Sequence, residues 1–229
     1  MGTESIHKEH RKRLKKRFLD NGLDDFTDIQ ALELLLFYAI PRRDTNVLAH
    51  ALLERFGSLS QVLEADAADL KKVNGIGEEA ALLLTLMPQL ARFYQVDSAK
   101  RVKCLTSLED CGRYLLPYFF GTRNETVYLL CLDAKGRVLS CSFLAEGRLD
   151  RVGLNSRQVV ETALEHRATS VILAHNHTSG IALPSREDEE TTNMVQAALE
   201  AVGIRLADHM VMVEDDFVSM ADSGFFGRR

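Results

Sequence analysis

From Thr27 to about Tyr94 the apolar residues return every three or four positions, with breaks at Pro41, Gly57 and the Gly75-Ile76-Gly77 turn. That spacing is the one-sided stripe of an amphipathic helix. It predicts helices over Asp28–Ala39, Asn46–Phe56, Leu59–Ala65 and Glu78–Phe93, a short turn of helix near Ala67–Lys72, and a kink at Pro88. After Gln95 the chain turns polar through Asp97, Ser98, Lys100, Arg101 and Lys103, and a further helix is expected at Ser107–Phe119. The boundary belongs in that polar stretch, which gives an all-helical domain over residues 1–96 and a second domain over 104–229.

Beyond Glu125 the period shortens. Thr126–Asp133 and Val138–Ala145 are runs of β-forming residues joined by an Ala134-Lys135-Gly136-Arg137 turn. A helix is expected at Ser156–His166. Ser170-Val171-Ile172-Leu173-Ala174 is a continuous apolar run short enough for a buried strand. A loop with Gly180 and Pro184, a polar-faced helix over Arg186–Val202 and a strand near Asp208–Val213 complete an α/β half. There is no internal repeat and no low-complexity tract.

Composition narrows the class without naming a function. A chain of 229 residues with 46% hydrophobic and 27% charged content has the balance of a folded protein. No run approaches the ~18 apolar residues of a membrane helix, and the N-terminus is charged where a signal peptide would be apolar, so a cytoplasmic location without membrane attachment is expected. Cys104, Cys111, Cys131 and Cys141 are widely spaced, with neither a Cys-x-x-Cys pair nor a finger-like His, and read as reduced thiols. The net charge of −5 disfavours general attraction to nucleic acid. Lys8, Arg11, Lys12, Arg13, Lys15, Lys16 and Arg17 nevertheless crowd a short N-terminal stretch that could meet phosphates, or form a solvated helix face.

The stretch that carries chemistry is Ala174-His175-Asn176-His177-Thr178-Ser179-Gly180-Ile181-Ala182-Leu183-Pro184-Ser185-Arg186-Glu187-Asp188. Two histidines two residues apart at a strand end point to the same face. The loop then returns to a helix whose first turn holds Asp188. Two imidazoles and one carboxylate suit a catalytic zinc ion with a position left for water. The competing reading of Ser185-Arg186-Glu187-Asp188 is a capping box, which would account for Ser185 and Asp188 but for neither histidine. The contiguous His-Asn-His triplet is not the nuclease motif of that name, whose residues are spread over a ββα unit.

His175-x-His177, seven residues, Ser185, two residues and Asp188 resembles the JAMM motif of the JAB/MPN metalloproteases. His175-Asn176-His177-Thr178-Ser179-Gly180 with Pro184-Ser185 resembles the RadC branch of that superfamily, and the likeness extends over Gly147, Arg157, Thr192 and Asp208-His209. It implies a JAB/MPN-like α/β domain, a mixed sheet flanked by helices, preceded by an all-α domain. It also implies that His175, His177 and Asp188 bind Zn2+ and that Ser185 holds the polarised carbonyl or its oxyanion. The family's catalytic Glu starts the first strand, the place of Glu125, with Glu146 in the next strand as its competitor. Two departures touch the cleft: Thr178 stands where RadC sequences usually have Pro, and Asn155-Ser156-Arg157-Gln158 where a Pro-Arg-Glu run is usual. Asp208-His209 could orient a ligand or satisfy a buried strand end.

In the helical half, Lys71-Lys72-Val73-Asn74-Gly75-Ile76-Gly77 ahead of a helix looks like a helix-hairpin-helix turn, whose glycines let backbone N–H groups approach a phosphate. Glu78 and Glu79 oppose that use by repulsion. Three functions follow as expectations. The first is a zinc hydrolase of peptide or isopeptide bonds. The second is a DNA-associated repair or recombination factor that uses the basic stretch with Lys71, Lys72, Gly75 and Gly77, its metal site structural or nuclease-like. The third is a partner-binding protein with a vestigial metal site.

Overall fold

The computed structural model describes residues 2–41, 43–147, 154–178, 180 and 182–225, with the side chains of 2–8 outside the description. Its contacts divide the chain into two compact units, Met1–Ala91 and Arg92–Arg229.

The first unit is helical: α1 (Gly2–Asn21), α2 (Asp28–Ala39), α3 (Asn46–Phe56), α4 (Leu59–Glu64), α5 (Ala67–Leu70) and the beginning of α6 (Glu78–Ala99). α2 starts where Thr27 accepts the Gln30 amide and Gln30 reaches back to the Thr27 amide, so two donors with no partner in the helix are satisfied reciprocally. Leu32, Leu36, Leu48, Leu52, Val62, Leu70 and Leu84 are buried together as one core. α6 runs to Ala99, six residues past the Phe93 expected from periodicity, and Pro88 lies inside it.

The second unit adds α7 (Leu108–Phe119), β1 (Thr126–Leu132), β2 (Val138–Glu146), α8 (Ser156–Glu165), β3 (Ser170–Asn176), α9 (Arg186–Glu200), β4 (Arg205–Val213) and β5 (Asp216–Ser219). The five strands form one sheet in the order β2-β1-β3-β4-β5. β1 is antiparallel to both its neighbours, β3 and β4 are parallel through the α9 crossover, and β5 returns antiparallel. The sheet is mixed and flanked by helices, as expected.

Two apolar layers sandwich it. Val127, Leu129, Val171 and Leu173 pack with Val159 and Ala163 of α8 and Val195 and Leu199 of α9. Leu130, Ile172, Ala174 and Met210 pack with Cys111, Leu115 and Phe119 of α7 on the other face. β3 is therefore buried on both sides, which is why its sequence is a continuous apolar run instead of an alternation. Its far end delivers the histidines.

Candidate metal centre

Along β3 the side chains alternate, and Val171, Leu173 and His175 share the face covered by α8 and α9. His177 follows one residue after the strand. Above them α9 shows the sheet a stripe of Asp188, Thr192, Val195 and Leu199, all buried and spaced four, three and four residues apart. The cap of α9 fixes the first of these. Ser185 Oγ accepts the Asp188 amide at 3.2 Å, and Asp188 Oδ2 accepts the Ser185 amide at 2.7 Å and its hydroxyl at 2.8 Å. The capping box is thus present, and it leaves the carboxylate turned toward the sheet.

Strand end and helix cap converge. His175 Nε2 lies 2.9 Å from His177 Nε2 and 3.1 Å from Asp188 Oδ1, and His177 Nε2 lies 3.3 Å from Asp188 Oδ2. Among the described residues these three form a group able to hold a metal ion, one candidate ligand atom from each, all within 4.8 Å of one another. The side chains of His175 and Asp188 are 2% and 4% exposed, that of His177 16%, so the group opens to solvent on the His177 side. Burial works against the charge of Asp188. The hydrogen bonds from His175 and His177, the His175 charge and the Ser185 amide outweigh it and hold the carboxyl far below the usual carboxylate range. A carboxylate kept ionised beside two imidazoles fits a divalent cation such as zinc.

A second layer lies behind His175. Its Nδ1 is 2.9 Å from His209 Nε2, and His209 Nδ1 is 2.6 Å from Thr192 Oγ1. Thr192 Oγ1 also donates to the Asp188 carbonyl oxygen at 2.6 Å. His209 is wholly buried. That burial and the neighbouring His175 charge push it well below the ordinary histidine value, with Asp188 opposing, so the ring is neutral. Sequence reasoning placed Asp208-His209 as either orienting or structural, and the structure shows His209 bonded to a candidate ligand. Thr192, named within the family likeness but given no role by sequence reasoning, lies four residues after Asp188, on the same helix face.

The strand register separates the two glutamates. Val127 is directly opposite His175, and Thr126 directly opposite Glu146. The Gly147 amide donates to the Glu125 carbonyl at 2.7 Å, which carries the β1–β2 ladder back past Thr126. Two residues before Val127, Glu125 falls on the face of Val127 and His175. Glu146 shares the opposite face with Thr126. There Asn176 Oδ1 accepts the Thr126 amide at 2.7 Å and hydroxyl at 2.9 Å, and the Asn124 side chain donates to Glu146 at 2.7 Å. Ser179 and Ile181, both in the motif loop, lie outside the described residues.

The first unit uses much of its N-terminal charge internally. Arg11 donates to the carbonyls of Ile40 at 2.8 Å and Arg43 at 2.6 Å and lies 4.6 Å over the Phe37 ring. Arg17 donates to the Asp25 carbonyl and, at 2.7 Å, to Gln30, and lies 4.3 Å over Phe26. Lys12 pairs with Glu9, Lys16 with Asp20 and Lys72 with Asp69. Lys15 lies over the Tyr38 ring. Gly75 has φ +99°, which other residues rarely adopt, and a Cβ there would come 2.7 Å from Leu48 Cδ2, so the fold itself favours this glycine. Glu78 and Glu79 occupy the first turn of α6.

Comparison with known proteins agrees with this architecture. Residues 105–225 match the family model of the RadC-like JAB domain. A UPF0758 protein of Burkholderia cenocepacia is 36% identical over 218 residues, covering 93% of this chain and 83% of the relative. A UPF0758 protein of Fusobacterium nucleatum is 30% identical over 229 residues, 97% of this chain and 99% of that protein. With the domain matched from Leu105 to Phe225 and relatives similar over 83% and 99% of their length, the chain belongs to the RadC family of JAB-domain proteins.

Proposed function

We propose that this chain is a zinc-dependent hydrolase of the JAMM type, acting on a peptide or isopeptide bond. The observation that carries the reading is the buried convergence of His175, His177 and Asp188, with 2.9–3.3 Å between their facing atoms. Two imidazole nitrogens and a carboxylate beside solvent would hold zinc, which supplies Lewis acidity toward a carbonyl and makes water a better nucleophile. Glu125, on the histidine face of β1, takes the proton of the attacking water and returns it to the leaving nitrogen. Ser185 donates its hydroxyl to the carbonyl oxygen as negative charge develops there, leaving its bond to Asp188 to do so. No helix among the described residues is long and apolar enough to cross a membrane, which accords with a cytoplasmic enzyme. The turn at Gly75 serves packing in this reading, not DNA binding.

Elemental analysis of purified protein tests the site. Wild type is expected to hold about one zinc per chain, and a His175→Ala, His177→Ala double variant, folded by circular dichroism, none. Cleavage of peptide-bond and isopeptide-bond fluorogenic substrates by the zinc-loaded wild type then tests the reaction. Wild-type protein that takes up no zinc even when refolded with it would overturn the proposal.

A further inference from the structure

Every hydrogen-bonded contact needs one proton, and the contacts behind His175 can be counted on that basis. The chain runs from the Asp188 carbonyl to Thr192 Oγ1 at 2.6 Å, to His209 Nδ1 at 2.6 Å, and from His209 Nε2 to His175 Nδ1 at 2.9 Å. A carbonyl oxygen can only accept. Two oxygens 2.6 Å apart without a hydrogen between them repel, so the Thr192 hydroxyl proton is committed to Asp188. The Met220 sulfur, 3.7 Å from the same hydroxyl, is a weak acceptor and does not compete. Thr192 Oγ1 then meets His209 with a lone pair, and the proton in that contact must sit on His209 Nδ1. At pH about 8, above the ordinary histidine range, the wholly buried His209 holds that one proton alone, so its bare Nε2 accepts from His175 Nδ1–H.

We infer that Thr192 and His209 are positioning residues that use the one-way acceptor at the Asp188 carbonyl to keep a proton on His175 Nδ1, so that Nε2 is the nitrogen left to serve the candidate metal centre. That Nε2 faces Asp188 Oδ1 at 3.1 Å and His177 Nε2 at 2.9 Å, where a divalent cation would displace any proton it carries. The same helix therefore supplies the carboxylate through its Asp188 side chain and, through the Asp188 carbonyl, the proton order that readies the histidine. Neither Thr192 nor His209 contributes a ligand. This inference rests on the zinc reading, but the proton order belongs to the metal-free protein and can be observed there.

Two measurements test it. In metal-free wild type at pH about 8, long-range 1H–15N correlation spectra should show His209 protonated at Nδ1 with a bare Nε2, and His175 carrying a proton on Nδ1. A spectrum in which His175 Nδ1 is bare would overturn the relay, whether or not the protein binds zinc. Zinc affinity, measured by competition with a chromophoric chelator, should fall about 10–100-fold in Thr192→Val and recover to the wild-type value in Thr192→Ser, which keeps the hydroxyl. Unchanged affinity in a folded Thr192→Val would refute the positioning role while leaving the zinc reading intact. Absence of zinc binding by wild type would overturn that reading and, with it, the role given to the relay. Should Thr192→Val not fold, the wild-type spectrum still decides.

Discussion

Val127 on β1 lies directly across the ladder from His175 on β3, so the strand that begins beside Glu125 is in register with the strand that presents the histidines. Antiparallel neighbours facing each other project to the same side of a sheet, and residues two apart along a strand do so as well. This register puts Glu125 on the histidine side, which supports the proposed proton-transfer role and gives the first prediction. Glu125→Gln, close in shape but unable to take a proton, should lower hydrolysis by about 10²–10⁴-fold with zinc content unchanged, and Glu146→Gln should stay within a few-fold of wild type. The reverse ranking in a steady-state assay would move the base to β2.

Ser185 stands in two relationships at once, as the cap of α9 and as a hydroxyl beside Asp188. Ser185→Ala should lower the unfolding free energy by about 1 kcal/mol in urea titrations, through loss of the cap. At saturating zinc the hydrolysis rate should still fall by about 10²-fold or more, because the carbonyl oxygen loses its donor. A variant with the stability loss and a wild-type rate would leave Ser185 as a cap alone.

The candidate site was legible before the fold because its candidate ligands are local: His175, His177 and Asp188 fall within fourteen residues, and the strand and helix signals around them are strong. α2 and α3 were readable to the residue since the Thr27 capping box opens α2, Gly57 closes α3, and an apolar stripe runs along each. β5 was missed. Its hairpin turns through Glu214 and Asp215, with Glu214 at φ +41°, and so lacks the Asn-Gly or Gly signal that marks such turns. α6 extends past Phe93 into the polar stretch expected to be a linker, since the buried neighbours of Val96 and Ala99 come from elements far along the chain. The link between His209 and His175 spans thirty-four positions and depends on the parallel β3–β4 pairing, which no local pattern encodes.

The basic N-terminal stretch yields a prediction about DNA. With Arg11 and Arg17 bonded to backbone carbonyls and laid over aromatic rings, their loss should be felt as stability. Arg11→Ala should lower the unfolding free energy by about 1–3 kcal/mol, since it leaves the partly buried Ile40 carbonyl without its guanidinium donor. Binding of the wild type to short duplex or single-stranded DNA should be weak and nearly flat in salt. A steep fall in affinity between low and moderate salt, reduced in a Lys71→Ala, Lys72→Ala variant, would instead establish a phosphate-binding surface.

Asp208 gives the last prediction, and its sign is opposite to that of Asp188. It is fully buried, and its Oδ1 accepts the amides of His209 at 2.8 Å and Ala221 at 3.0 Å. Burial pushes its carboxyl up to about 6; the Ser219 hydroxyl and those two amides oppose the rise, and Asp222 adds to it. Because the folded value lies above the unfolded one, the folded state holds this proton more tightly. The cost of ionising Asp208 is absent below pH ~4, grows as pH rises, and is complete above about 6, where it reaches roughly 3 kcal/mol for a shift of about two units. Asp188, held low, contributes stability that is lost only as pH falls through a far more acidic range. Asp208→Asn keeps an acceptor for both amides and removes the charge. Its unfolding free energy relative to wild type should therefore rise between pH about 4 and 6 and stay higher at pH 7. A difference that does not change with pH in urea titrations would mean that the Asp208 carboxyl binds its proton equally well in the folded and unfolded chains. The groups packed nearest it, Cys111, Asp222, Ser219 and His209, are unchanged in the variant, so the pH-dependent part of the difference reports on this carboxyl.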